Sequence, residues 1–270
     1  MYKFSSYYLD DNIVCGRVFD VFEPEKVTRQ TALFFVHGGG WTGGKREHYH
    51  QIMQAYCRAG FICCSTDYRL LPIGAPGKMT AVDQLKDVRE AYDAFVSILK
   101  EKGLPLQIAV KGSSAGAHLA SLLVCAAPGE CQEDCTLVNE WVKPFCGLLQ
   151  ATPASFEPWD ETYPAMWGML ERAAGGRYED VPEKYRNLSL CRYIREDNPP
   201  LFFIEAGNEG LFPGYYNAEL LKKHQQWGIA SELKYYRFAE HGFFYDVTRP
   251  CQQEAFRDVI TFIEKLEAAK

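Results

Sequence analysis

Residues 104–126 read LPLQIAVKGSSAGAHLASLLVCA: an apolar, strand-like run at 104–110, the turn Gly112-Ser113-Ser114-Ala115-Gly116, and a helix-like run at 117–126. A strand that turns abruptly into a helix forces its central residue into a cramped backbone where a side chain two positions away would clash. Glycine at 112 and at 116 removes that clash. The turn lifts the Ser114 hydroxyl above the sheet edge and leaves the Ala115 N–H free at the start of a helix, where developing negative charge is favoured. Ser114 is therefore the candidate nucleophile. A plain Gly/Ser turn before a helix is the alternative that the rest of the chain must exclude.

Working outward, candidate strands lie at 13–22, 32–36, 61–66, 107–111, 145–150, 201–205 and 232–238, where apolar, β-branched and aromatic residues cluster. Helical spacing is clearest at 78–102, where Val82, Leu85, Val88, Tyr92, Phe95 and Leu99 recur every three or four positions. It returns at 215–227 and at 252–268. Strands alternating with helices predict a mostly parallel sheet covered on both faces, in which ligands bind beyond the carboxyl ends of the strands. Residues 151–200 break the rhythm. They are rich in Pro, Trp, Tyr and Met without a clear strand, and read either as an insertion capping the site or as an irregular connection packed by aromatics.

The 270 residues suffice for one α/β domain, so the expectation is a single domain over 1–270 with 151–200 as a cap insertion. A net charge of −6 without a Lys/Arg-rich run argues against a nucleic-acid binder. Residues 1–20 scatter Tyr7, Tyr8, Asp10, Asp11 and Arg17 among apolar positions, so neither a signal-peptide core nor a bilayer span is read there and a cytoplasmic protein is expected. Ten cysteines could suggest disulfides. Cys63, Cys64, Cys125 and Cys146 sit in apolar runs, however, where a free thiol behaves as a small core residue. Cys131 and Cys135 lack a second ligand pair, so no metal site is expected.

The strand at 32–36 runs into His37-Gly38-Gly39-Gly40-Trp41. Consecutive glycines let a loop approach a substrate and present N–H groups without side chains in the way, so Gly38 and Gly39, with Ala115, are the candidate oxyanion hole. His241 follows the last strand and is trailed by Gly242 in a tight turn. Of six histidines it alone has this placement, which makes it the candidate general base. His37 reads as an anchor of the glycine loop and His118 as support for the helix after Ser114. His48, His50 and His224 have surface-helix contexts. Trp41 and Trp167 are candidate substrate-lining aromatics.

HGGGW after a strand, Asp67-Tyr68-Arg69-Leu70 after the next, GSSAGAH and a late His241-Gly242 together resemble the α/β-hydrolase superfamily. Within it the chain is most similar to hormone-sensitive-lipase-like esterases and small acyl esterases. The resemblance runs from 32 to the last helix and is weakest across 151–200. It implies an eight-stranded, mostly parallel sheet and a Ser, acid, His triad in that chain order. It also makes Asp67 and Arg69 a scaffold feature, an ion pair or turn. The acid departs from the common Asp. Counting back from Leu211 and Pro213 gives Glu209, whereas counting forward from Gly207 gives Gly210, which has no side chain to contribute. Glu can substitute for Asp on this fold, so Glu209 is the candidate acid, with Glu205 and Asp246 as alternatives.

The expected chemistry is hydrolysis of a small-molecule ester through an acyl-enzyme, which needs no metal or organic cofactor. An arylformamidase-like amidohydrolase, suggested by GSSAGAHLA, and a non-catalytic binding protein, suggested by the missing Asp, are the alternatives. The residues leave the acyl and alcohol groups unspecified. They are silent on oligomeric state, with an exposed insertion or edge strand as the places where a homodimer could form.

Overall fold

The computed structural model describes residues 2–10, 17–74, 76–159 and 164–269. Eight strands form one sheet: β1 (Tyr2–Tyr8), β2 (Val18–Pro24), β3 (Thr31–Val36), β4 (Cys63–Thr66), β5 (Gln107–Ser113), β6 (Cys146–Gln150), β7 (Leu201–Asn208) and β8 (Glu232–Glu240). Their spatial order is β1-β2-β4-β3-β5-β6-β7-β8. The β1–β2 and β2–β4 pairs are antiparallel and the remaining pairs parallel. This is the mostly parallel, eight-stranded sheet that the resemblance implies.

The helices are α1 (His50–Arg58), α2 (Ala81–Glu101), α3 (Ala115–Cys125), α4 (Pro164–Ala174), α5 (Pro182–Leu188), α6 (Tyr215–Gln226) and α7 (Pro250–Ala268). Strand β3 shows why they lie on both faces. All six of its residues are buried. Phe34 and Val36 enter a core with Leu85, Val88 and Leu119 of α2 and α3, whereas Leu33 and Phe35 enter a second core with Ile52 of α1 and Val259 of α7. A strand covered on both faces reads as a continuous apolar run, which is why the sequence signal is strong there. Helix α2 starts at a capping box: the Thr80 hydroxyl accepts from Val82 N–H, and Asp83 accepts from Thr80 N–H at 2.7 Å.

Three elements depart from the expectation. Strand β1 lies outside the expected set: it is a largely exposed edge strand whose Tyr2 and Phe4 pack on Phe22 while staying partly open to solvent. The expected strand at 13–22 is β2, displaced to Val18–Pro24, and residues 13–16 lie outside the described residues. The segment 151–200, without a clear element in the sequence, folds into α4, α5 and a 3-10 turn at Leu190–Tyr193, with residues 160–163 outside the description. Two of its prolines stand at helix starts, Pro164 at that of α4 and Pro182 at that of α5, where a missing N–H costs nothing.

The register aligns the carboxyl ends of the central strands. Val36 pairs with Gly112, and Ser113 with Gln150. Asn208 pairs with Glu240, so the residues following β3, β5, β7 and β8 emerge along one edge of the sheet. A side chain at Gly112 would place its Cβ 2.3 Å from Gly116 O, and one at Gly116 would lie 2.2 Å from Val36 O. Gly112→Ala is expected to cost about 3 kcal/mol or more, because backbone would have to move. Gly210→Ala, where a Cβ meets nothing within 4 Å, should change stability by less than about 1 kcal/mol. Urea midpoints of the two variants check this.

Candidate active site

Ser114 joins β5 to α3 with φ 54° and ψ −124°, a conformation that L-residues rarely adopt. Its N–H donates to Gln150 O at 2.9 Å and its carbonyl accepts from His118 N–H at 3.0 Å, so the strained residue is tied on both sides. Ala115 N–H, at the first turn of α3, has no intrahelical partner.

The loop after β3 curls on itself, Gly39 O accepting from Thr42 N–H and Gly43 N–H. Gly39, Gly40 and Trp41 all have positive φ, at 132°, 59° and 61°. His37 holds its base: Nδ1 donates to Gly38 O at 2.9 Å and the ring stacks on Tyr68 at 4.2 Å. The Gly38 N–H, expected to face the oxyanion, donates instead to Tyr245 Oη at 3.0 Å. Among the described residues no acceptor engages the N–H groups of Gly39 or Gly40. The loop's free donors are thus shifted one residue along from the expected pair.

His241 Nδ1 lies 2.7 Å from Glu209 Oε2. The other carboxylate oxygen, Oε1, accepts from Leu211 N–H at 2.8 Å and from Gly210 N–H at 3.0 Å. Burial pushes the Glu209 carboxyl up, but His241 and the two N–H groups outweigh it and hold the carboxyl below its ordinary range. Asp246 instead turns back on its own loop, accepting from Val247 N–H and Thr248 Oγ1. Glu205 is buried and accepts from Asn217 Nδ2 at 2.8 Å. Burial, together with the nearby Glu209 charge, raises it to about 7 against the opposing effects of Asn217 and His241.

Three of the other histidines fall away as bases through burial, and His50 has Nε2 engaged by Asp20 Oδ2 at 2.8 Å. His37 and His118 are pushed down to about 4 by burial. His118 Nε2 donates to Leu188 O at 2.7 Å while Nδ1 accepts from Trp41 Nε1, which fixes a neutral tautomer. His224 does not face solvent as its helical context suggested. It is fully buried, receives the Ser231 hydroxyl on Nδ1 at 2.7 Å, and is also pushed down to about 4. Asp67 and Arg69, expected as a scaffold ion pair or turn, do not pair with each other, but each forms a structural ion pair elsewhere. Asp67 pairs with Arg46 and Arg69 with Asp87. All nine described cysteines are free, Cys15 lying outside the described residues.

Ser114, His241 and the glycine loop border one cavity of about 390 Å³. Met166 and Met169 of α4, with Leu211 and Phe212, form its apolar side, and His48 and Tyr245 also line it. Trp41 borders the cavity but is 1% exposed, packed on His118 and Phe156, so it supports the loop more than it meets solvent. Trp167 is not among the lining residues; it packs against Tyr178 and Tyr185. The two methionines, one turn apart on α4, leave little mark in the sequence because aromatic residues dominate that segment. Tyr245 leaves as little, because nothing in the run HGFFYD marks one aromatic as polar-facing. A larger groove of about 800 Å³ near β1 and α2 contains Arg17 and Arg69, but both pair with Asp87. The chemistry-bearing residues converge on the smaller cavity.

The model of the BD-FAE family matches residues 19–224. This chain belongs to the BD-FAE family. Among curated relatives of this BD-FAE chain, the "probable carboxylic ester hydrolase LipM" of Mycobacterium tuberculosis is 32% identical over 225 residues, 78% of the chain and 49% of the relative. Esterase LipQ of the same organism is 29% identical over 195 residues, 68% of the chain and 43% of the relative. The chain spans about half the length of the curated relatives it matches. In fold it is similar to esterase B from Lactobacillus Rhamnosis, with a TM-score of 0.81 and 19% identity over 99% of this chain and 87% of that one. Thermogutta terrifontis esterase 2 with butyrate bound gives a TM-score of 0.73 and 21% identity over 92% and 89% of the two chains. The BD-FAE chain therefore has the α/β-hydrolase fold.

Because the Glu205 carboxyl is raised from 4.5 to about 7 on folding, the folded state binds the extra proton between those values and stability falls as pH rises through that window. Glu205→Gln keeps the acceptor for Asn217 and removes the titration. Relative to the wild type, the variant should gain on the order of 3 kcal/mol between pH 4 and pH 8, read from urea unfolding at each pH.

Proposed function

We propose that this protein is a serine hydrolase of small carboxylic esters. The observation that carries the reading is the Glu209–His241 pair at 2.7 Å, with His241 bordering the same cavity as the strained Ser114. Nδ1 of His241 donates to Glu209, which leaves Nε2 as the lone-pair nitrogen that takes the Ser114 proton as Oγ attacks the acyl carbon. The N–H groups of Gly39, Gly40 and Ala115 receive the oxyanion, with Gly40 replacing Gly38 in the expected set. His241 then protonates the leaving alkoxide and activates water against the acyl-enzyme. Glu209 stays ionised throughout, holding the imidazole in one tautomer and stabilising its cationic form.

A carboxylate in the acid position removes the motive for a non-catalytic binding protein. The segment 151–200 acts as the cap, through Met166 and Met169 of α4. With Leu211 and Phe212 they enclose an apolar space suited to a short acyl chain, in keeping with the butyrate carried by the Thermogutta esterase. Cleavage of an aryl formamide uses the same triad, and a substrate panel separates it from ester cleavage.

Ser114→Ala is expected to lower kcat by about a thousandfold or more and to abolish labelling by a fluorophosphonate; a labelled or active variant would refute the nucleophile. Glu209→Ala should cost about a hundredfold or more in kcat, whereas Asp246→Ala should cost less than about fivefold. Across p-nitrophenyl esters, kcat/KM should fall by about tenfold from butanoate to octanoate, and a rise would refute the short-acyl assignment.

A further inference from the structure

Tyr245 lies four residues beyond His241 on the loop that carries the base. Its hydroxyl reaches across to the glycine loop, where Oη accepts the Gly38 N–H at 3.0 Å. The contact is close on every side. A Cβ built on Gly38 would stand 2.9 Å from that oxygen, 2.6 Å from Ser113 O and 3.3 Å from Ser114 Cβ. Ser113 and Tyr245 line the same cavity. The Tyr245 hydroxyl thus ties the loop after β8 to the loop after β3, beside the turn after β5.

The tyrosine is itself fixed. Its ring packs on Tyr49 at 4.7 Å, and Nζ of the buried Lys111 sits 4.8 Å from the Tyr49 ring while donating to Phe244 O at 3.2 Å. Gln252 Nε2 donates to Phe243 O at 2.8 Å, so the two residues before Tyr245 are pinned by β5 and α7. A phenol held this firmly places its oxygen without the entropy loss that a long flexible side chain would incur. Burial raises the phenol above its ordinary range, so it stays protonated and acts as a neutral acceptor.

We propose that Tyr245 is a positioning residue for the oxyanion-binding loop: by taking the Gly38 N–H it fixes the peptide direction that leaves the Gly39 and Gly40 N–H groups for the developing oxyanion. The proposal rests on the Ser114–His241–Glu209 reading above. Loss of the hydroxyl leaves Gly38 N–H without its acceptor, and the loop, rich in glycine with positive φ, is free to turn that donor elsewhere. The cost then falls on the state in which negative charge has developed, and ground-state binding is spared.

The test is Tyr245→Phe in the full chain, assayed with p-nitrophenyl butanoate and with a trifluoromethyl ketone, whose hemiketal adduct carries the same oxyanion. The kcat should fall by about tenfold with KM within about twofold, and the ketone should bind about tenfold more weakly. Active-site titration counts competent molecules, so that kcat refers to folded protein. An unchanged kcat and ketone affinity overturn the proposal, as does a raised KM at unchanged kcat, which would make Tyr245 a wall of the substrate pocket. Should the variant not fold, hydrogen exchange of the wild type is read instead: the Gly38 amide, which donates to Oη, should exchange at least about tenfold more slowly than the Gly39 and Gly40 amides, and equal rates overturn the proposal. Ser114→Ala in parallel keeps the two readings apart: an active Ser114→Ala sinks the triad, whereas an inactive one beside an unaffected Tyr245→Phe sinks the positioning role alone.

Discussion

The backbone at Ser114, at φ 54° and ψ −124°, is the constraint on which the rest of the site depends. A non-glycine residue there costs roughly 1–3 kcal/mol and persists where its surroundings over-determine it. The surroundings do so by proximity. Gly112 lies against the backbone of Gly116 and Ala117, and Gly116 against the carbonyls of Val36 and His37. Because those carbonyls lie at the end of β3, the contact that makes the turn possible also sets the distance from Ser114 to the glycine loop. The placing of the serine and the placing of the loop are one packing problem.

Burial then sorts the ionisable groups around that turn. His37, His118 and His224 are held neutral by desolvation, each with a hydrogen bond at Nδ1 or Nε2 that fixes its place in the fold. His241 is half-buried and faces a carboxylate kept ionised first by His241 itself and then by two backbone N–H groups. The same physics divides the two glutamates in and just after β7. Glu209 gains enough donors to offset its burial, and Glu205, with Asn217 and a like charge nearby, does not. Chemical type made both candidates for the acid, and local solvation separates them.

Much of the architecture was legible because parallel strands buried on both faces leave continuous apolar runs and their covering helices leave three-and-four spacing. The run 107–111, the helix near 78–102 and the final helix all stand close to where they were expected. Strand β1 left no such trace, since its exposed positions impose no apolar alternation. The helices α4 and α5 were hidden by short length and by aromatic residues that pack without a regular stripe. The misplacement of Gly38 has a different origin. A glycine run states that N–H groups are available but not which of them the neighbouring loop has already engaged.

By itself the sequence determined the strand-turn-helix at Ser114, the glycine loop, the late histidine and the alternation that places their loops at one sheet edge. These are local matters of steric freedom and apolar periodicity, written in consecutive residues. Tertiary structure alone decided that Glu209 and not Glu205 or Asp246 meets His241, that Tyr245 takes the Gly38 N–H, and that Met166 and Met169 rather than Trp167 line the cavity. Each of those depends on contacts between segments distant in the chain, 32 residues apart for Glu209 and His241 and 207 for Gly38 and Tyr245, where strand register and loop curvature fix which atoms meet.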